Sequence, residues 1–300
     1  MLTIINETLV ERDSTPYAFD IRVHQLGSDH VEALVQPRFA YYEADMASER
    51  CQNALMARDN HWSKGGWVPK PPPTQQELLD RAACNRMRST RRARTKVRRL
   101  SKYKLLTTLL TLTYRENMLD RARMARDFDV FMKRMRRVIP DFEYICVFEK
   151  QKRGAWHAHL AVRKVQSHYM QKNVLVRSYD LIRSMWRGVV GADNGNIDVS
   201  RNKRLSRSSS KLASYLSKYI GKTFDQAEKY VNSYSASGRD LPPAVLERAI
   251  TPSLTDAINS LLDMLSPELG RLELYQALMD GGGYYVCLSP HDPGRPKNEA

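Results

Sequence analysis

Two apolar runs separated by a five-residue basic turn dominate the middle of this chain: FEYICVFE (142–149), KQKRG (150–154) and AWHAHLAV (155–162). Runs of that length around a short segment ending in glycine predict an antiparallel β-hairpin, which commits the chain to a sheet. Upstream, KLLTTLLTLTY (104–114) is apolar and bounded by charge, and reads as a buried strand. Met124, Phe128, Phe131, Met135 and Ile139 recur at three- and four-residue steps, predicting an amphipathic helix over 117–139 that Pro140 stops. Leu175, Tyr179, Ile182 and Trp186 mark a second helix, NIDVS (196–200) a further strand, and SSKLASYLSKYIGK (209–222) a basic helix. The order β-α-β-β-α-β followed by a helix predicts an α+β fold of ferredoxin-like, RRM-like type, an antiparallel sheet with helices on its faces.

Three segments are expected. Residues 1–75 read as an irregular N-terminal extension and linker, ending in the turn-rich SKGGWVPKPPP (63–73). Residues 76–225 form the central domain, led by a basic helix that starts near Thr74. Residues 226–300 form a mostly helical C-terminal extension, with AVLERAI and LTDAINSLLDML as its helical pattern. No apolar run approaches the roughly 18 residues of a membrane span, so no membrane association is expected. The N-terminus lacks the basic and apolar regions of a signal peptide. The four cysteines form no CxxC pair, and the expected compartment is a reducing cytoplasm, bacterial or phage-infected.

Charge points to a polyanionic partner. The formal net charge is +15, and residues 81–104 hold eleven Arg/Lys and no acid. Residues 201–222 hold seven Arg/Lys and again no acid. A run of one sign repels itself unless a polyanion neutralises it, so these segments are expected to grip nucleic-acid backbone. The candidates are Arg91, Arg92, Arg94, Lys96, Arg98, Arg99, Lys102 and Lys104 in the first segment, and Arg201, Lys203, Arg204 and Arg207 in the second.

Within the hairpin, His157 and His159 fall on one face of their strand, because successive side chains alternate. The turn folds Glu149 back beside them. Two imidazoles and a carboxylate on one side of a sheet can hold a divalent ion such as Mg²⁺ or Mn²⁺ with positions left for phosphate oxygens or water. The ordinary alternative is a pair of buried histidines needing polar partners, which Glu149 and an ion would also supply. In the basic helix, Tyr215 and Tyr219 are four apart and share a face, with Lys218 and Lys222 each three residues after a tyrosine. A phenolate can attack a phosphodiester and conserve the bond as phosphotyrosine, given cations nearby to favour ionisation. Equally, tyrosines at this spacing pack at the edge of a core, beside a stripe of Leu212, Leu216 and Ile220. GKT (221–223) resembles the end of a phosphate loop, but Leu216 stands where the first glycine belongs.

Taken in order, these motifs resemble the HUH endonuclease superfamily, in particular the two-tyrosine rolling-circle replication initiators (Rep) of bacteriophages and plasmids. LLTLTY (109–114) resembles its first motif. WHAHLAV (156–162) resembles its histidine motif, with alanine between the histidines. YLSKYIGK (215–222) resembles the motif carrying two tyrosines. The resemblance covers residues 86–222 and implies the HUH endonuclease fold. It also implies a Mg²⁺- or Mn²⁺-dependent site-specific DNA endonuclease and strand transferase. Glu149, His157 and His159 would be its metal ligands, Tyr215 and Tyr219 its nucleophiles, and Lys218 and Lys222 would position phosphate. Such a protein nicks single-stranded origin DNA, leaves a covalent 5′-phosphotyrosine and a 3′-hydroxyl that primes a host polymerase, and later rejoins the ends. A host helicase would unwind the duplex, and bases could stack on Tyr103 or Tyr114. Two other readings remain open: a single-strand DNA transposase with the same chemistry, or a non-catalytic single-stranded nucleic-acid-binding module.

Overall fold

Along the middle of the chain, strands and helices form where the periodicity places them, and the result is an α+β protein with antiparallel sheets. A computed structural model describes residues 2–5, 8–45, 52, 72–200, 209–226, 234–238 and 240–290, without the side chains of 2–5, 8, 9, 200, 209–211 and 221–226. The described chain forms two compact units, 1–81 with 243–290 and 82–242. None of its helices is long and apolar enough to cross a membrane.

In the first unit, β1 (Leu2–Ile5), β2 (Thr8–Gln25) and β3 (Val31–Glu43) come from the N-terminal end. The long helix α1 (Gln75–Tyr103) then begins on a capping box, the Thr74 hydroxyl accepting from the Glu77 amide at 3.2 Å and the Glu77 carboxylate from the Thr74 amide at 2.9 Å.

The second unit is built on β4 (Thr108–Tyr114), α2 (Arg121–Val138), β5 (Tyr144–Lys150) and β6 (Trp156–Val162). A two-stranded ribbon follows, β7 (His168–Gln171) and β8 (Val174–Arg177). Then come α3 (Ser178–Val190), β9 (Gly195–Ser200), α4 (Ser209–Gln226) and β10 (Tyr234–Ala236). The sheet order is β10-β5-β6-β4-β9, antiparallel throughout. One face carries Leu110, Leu112, Cys146, Phe148, Ala158 and Leu160 against α2 and α3. The other carries Leu109, Ile145, Val147 and Ala161 against Val97 and Leu100 of α1 and Leu212, Leu216 and Ile220 of α4. Strands buried on both faces read as the continuous apolar runs seen in the sequence.

Helix α2 starts later than its apolar spacing suggests, because Asp120 caps it by accepting from the amides of Ala122 and Arg123. Leu175, expected in a helix, lies instead in β8, and α3 begins only at Ser178.

The larger differences are at the ends of the chain. Residues 8–25 and 31–43, read as irregular, are long paired strands. The C-terminal segment, read as mostly helical, supplies one helix to this unit, α5 (Leu254–Leu269), and three strands, β11 (Val245–Ala249), β12 (Glu273–Met279) and β13 (Gly283–Ser289). The sheet runs β1-β2-β3-β13-β12, with β11 also paired to β2. Its inward residues alternate: Phe19, Ile21 and Val23 in β2, Val31, Ala33 and Val35 in β3, Tyr284, Val286 and Leu288 in β13. Ala257, Leu261 and Leu265 of α5 pack on that face. The ends are therefore one folded unit, held by pairs such as Val35 with Tyr284 and Val23 with Val245.

Candidate active site

The β5–β6 hairpin fixes the first part of the site through register. Its turn closes with the Gly154 amide donating to the Gln151 carbonyl at 2.8 Å, and Gly154 takes φ +90°, a conformation costly for any other residue. Glu149 then stands directly opposite His157, and Val147 opposite His159. On the other side of β6, Thr111 of β4 stands opposite His159. Thr111, Glu149, His157 and His159 therefore share the face that α4 covers, while Trp156, Ala158 and Leu160 enter the opposite core.

Both nitrogens of His159 are engaged. Nε2 lies 2.9 Å from Glu149 Oε2 and Nδ1 lies 3.2 Å from the Thr111 hydroxyl. A carboxylate only accepts, so in the neutral ring Nε2 carries the proton and Nδ1 accepts from Thr111. The Tyr219 ring lies on the His159 ring, centroids 4.5 Å apart and planes 16° apart. Its hydroxyl donates to the Tyr215 hydroxyl at 2.5 Å. Helix α4 explains this placement: Leu212, Leu216 and Ile220 are fully buried, leaving both tyrosines half-buried on the border of the stripe. Packing at a core edge and presentation to the histidines are here the same arrangement.

His157 is buried and its Nδ1 lies 3.0 Å from the Gln151 side-chain nitrogen. Arg153 Nε donates to Gln151 Oε1 at 3.0 Å, which turns the amide nitrogen toward the imidazole. Burial lowers the pKa of His157, with the His159 and Arg153 charges acting the same way and Glu149 opposing them. The ring is thereby held neutral, the form that ligates metals. Burial pushes the Tyr219 phenol well up, assisted by its bond to Tyr215 and by the Glu149 charge. As placed, then, Tyr219 is a protonated phenol. Among the described residues no three His, Cys, Asp or Glu side chains form a metal-binding group. The two histidine rings are 6.5 Å apart, and Glu149 is taken up by His159.

Other candidates are sorted by the same geometry. Lys218 is exposed, and the side chain of Lys222 lies outside the described residues, although its backbone is in α4. Arg91, Arg92, Lys96 and Arg99 line a shallow cavity of about 410 Å³ with Thr95 and Leu241, so four of the basic candidates converge. Arg94 is exposed and Arg98 half-buried. Lys102 and Lys104 instead turn inward, and Lys104 Nζ pairs with Glu143 at 2.7 Å. Arg201, Lys203, Arg204 and Arg207 lie outside the described residues. Tyr103 is partly exposed, but Tyr114 is buried, donates to Asp127 at 2.8 Å and packs edge-on against Trp186, so no base can stack on it. Thr111 and Gln151 are additions to the site. Thr111 becomes evident only from the β4–β6 register; Gln151 sits two residues past Glu149, at the start of the turn.

Residues 107–224 match a family model described as Replication-associated protein, of the ORF2 type. The matched span covers less than half of the chain and includes Thr111, Glu149, His157, His159, Tyr215 and Tyr219. No curated protein and no solved structure matches the chain. The likeness is to a rolling-circle replication-associated family and supports a protein of Rep type.

Proposed function

We propose that this chain is a rolling-circle replication initiator that nicks single-stranded origin DNA with a tyrosine nucleophile and later rejoins the ends. One observation carries the reading: the Tyr219 ring rests on His159, whose nitrogen is bonded to Glu149, while the second tyrosine touches the first. The order of the four main strands supports a ferredoxin-like, HUH-type domain. Numbered along the chain as 1 to 4 (β4, β5, β6, β9), they lie side by side as 2-3-1-4.

Tyr219 is the first nucleophile, being the tyrosine in contact with the histidines. Its oxygen attacks the scissile phosphorus, the P–O3′ bond breaks, and the released 3′ oxygen takes up a proton to become the priming hydroxyl. The phenolic proton leaves through the Tyr215 hydroxyl, to which Tyr219 already donates. Tyr215 is then placed to make a second cut while Tyr219 holds the first 5′ end. The covalent bond stores the energy needed to rejoin the strand, so no nucleotide hydrolysis is required.

The donor chemistry of Glu149, His157 and His159 fits a Mg²⁺ or Mn²⁺ ion: one carboxylate and two imidazoles on one sheet face, His157 held neutral by burial. These three residues would hold the ion, in place of the proton now shared between His159 and Glu149. When bound it would polarise the phosphate and offset the charge developing on it. Arg91, Arg92, Lys96 and Arg99 grip the DNA backbone. Host helicase and polymerase would complete the replication reaction.

The test uses random single-stranded oligonucleotides labelled at the 3′ end, incubated with protein and Mn²⁺ and boiled in SDS. The expected result is label on the protein band, abolished by EDTA and by Tyr215→Phe with Tyr219→Phe. Label retained in the double variant would overturn tyrosine attack, and full activity in EDTA the metal requirement. Tight, salt-sensitive binding with no adduct would favour the passive binding module. Adducts formed without dependence on a replication origin would favour the transposase.

A further inference from the structure

The ribbon β7–β8 pairs with no other described strand, and its outer face is apolar where solvent is expected. Met170 and Leu175 stand opposite each other in the register and are 62% and 63% exposed. Val174, at the tip, is 61% exposed. On the inner face Tyr169 and Val176 also stand opposite each other, and they pack against the core as an anchor. At the root, the Ser178 amide donates to the Ser167 carbonyl at 2.9 Å and its hydroxyl bonds the Gln166 carbonyl. The tip is a two-residue turn in which Lys172 and Asn173 take φ values of 47° and 64°, the pairing that matches strand twist and stiffens a hairpin. The ribbon is thus rooted and rigid, with an unpartnered apolar cross-strand pair on its outer side.

Its charge indicates what meets that pair. Residues 163–177 contain Arg163, Lys164, Lys172 and Arg177 and no acid. Arg163 is bound to Glu143, but Lys164, His168 and Arg177 line a cavity of about 510 Å³ at the root. Apolar side chains flanked by cations on a two-stranded ribbon fit the interior of a DNA duplex. Such ribbons enter grooves, inserted apolar side chains unstack base steps, and cations hold the adjoining phosphates. Position agrees: β6 ends at Val162, three residues beyond His159, roughly 10 Å along the same strand, and the ribbon follows at that end.

We propose that the ribbon 168–177 is a wedge that opens duplex DNA beside the nicking site, with Met170 and Leu175 against unstacked bases and Lys164, Lys172 and Arg177 on phosphates. This rests on the reading of the chain as a protein that acts on origin DNA. It supplies local melting within the chain itself, ahead of any helicase.

The experiment uses the full chain, a forked DNA duplex with 2-aminopurine at the junction, and a matched oligonucleotide already open as a bubble. Binding of the unaltered protein should raise the 2-aminopurine fluorescence as the junction base unstacks. Met170→Ser with Leu175→Ser should reduce the fraction opened about tenfold, since each lost base contact is worth a severalfold factor or more. The same variant should bind the bubble and form covalent adducts on single strands as before, which also shows that it is folded. Lys172→Ala should weaken fork binding and bubble binding alike. Equal opening by variant and unaltered protein, or no opening by either, would overturn the wedge. So would self-association of the unaltered protein that is lost in the variant with opening unchanged, which would make the ribbon a contact between copies. Opening that depends on Met170 and Leu175 without any adduct on single strands would sustain the wedge and reject the nuclease instead.

Discussion

The two sheets of this protein are both antiparallel, yet they bury polar chemistry differently. The central sheet, β10-β5-β6-β4-β9, is covered on both faces, and one of those faces passes from apolar residues to Thr111, Glu149, His157 and His159 as it nears the hairpin turn. The terminal sheet packs a single helix, α5, on a face lined without interruption by Phe19, Ile21, Val31, Val35, Val286 and Leu288. A face filled only by apolar residues can do no chemistry. A face that breaks its own apolar pattern, and bonds every imidazole that results, has been shaped by something other than stability. Function in this chain is assigned to the central sheet on that contrast.

The sharpest way to break the comparison is to remove one phenol from each unit. Tyr219→Phe should lower single-turnover adduct formation at least about a hundredfold, the usual scale for loss of a reacting group, and Tyr215→Phe much less for the first cut. Tyr284→Phe, in the terminal sheet, should leave it unchanged. Because burial and Tyr215 hold the Tyr219 phenol above its ordinary pKa, the reactive phenolate fraction grows as pH rises through the neutral range. The rate of the unaltered enzyme should grow with it, and a flat rate profile would count against attack by Tyr219.

Core truncations come next. Leu216→Ala and Leu261→Ala each remove a fully buried side chain and should each cost about 2–5 kcal/mol in denaturant unfolding. Only Leu216→Ala should also reduce cutting under conditions where both variants remain folded, since Leu216 seats the helix that carries the tyrosines. Equal losses of activity would erase the distinction between the sheets.

A smaller effect belongs to Thr111→Val, which keeps the shape and removes the hydroxyl from His159 Nδ1. About 1 kcal/mol, or roughly fivefold in cutting rate, is the expected scale, with DNA affinity unchanged. Loss of affinity instead would make Thr111 a DNA contact. Smallest of all, Arg91→Ala should leave the chemical step intact and reduce the salt slope of DNA binding by about one.

How far these features were legible in the sequence follows from how far apart their parts lie. The hairpin and its histidines are contiguous, and Tyr215 and Tyr219 lie one helical turn apart, so spacing alone places each pair on one face. Thr111 is visible as a strand residue, but its position opposite His159 depends on pairing between β4 and β6, which no local pattern encodes. Leu175 misleads because it precedes Tyr179 by one helical turn while belonging to a four-residue strand, too short to show its own period. The terminal sheet is the extreme case. The alternation of Phe19, Ile21 and Val23 is present in the sequence, yet the strands that complete it begin beyond residue 240. Basic residues were similarly ambiguous: Lys96 and Lys104 look alike in a charged run, and only the carboxylate of Glu143 assigns Lys104 to the interior.

The contact between the two tyrosine hydroxyls carries a constraint on timing. Oxygens 2.5 Å apart and joined by one hydrogen cannot both be anionic, because the second charge would have to form against the first at the same distance. The pair therefore holds one reactive equivalent at a time, and whichever oxygen has been esterified to DNA has already surrendered its claim to it. A site built this way takes turns without a clock: the order of two strand transfers is kept by the ownership of a single proton.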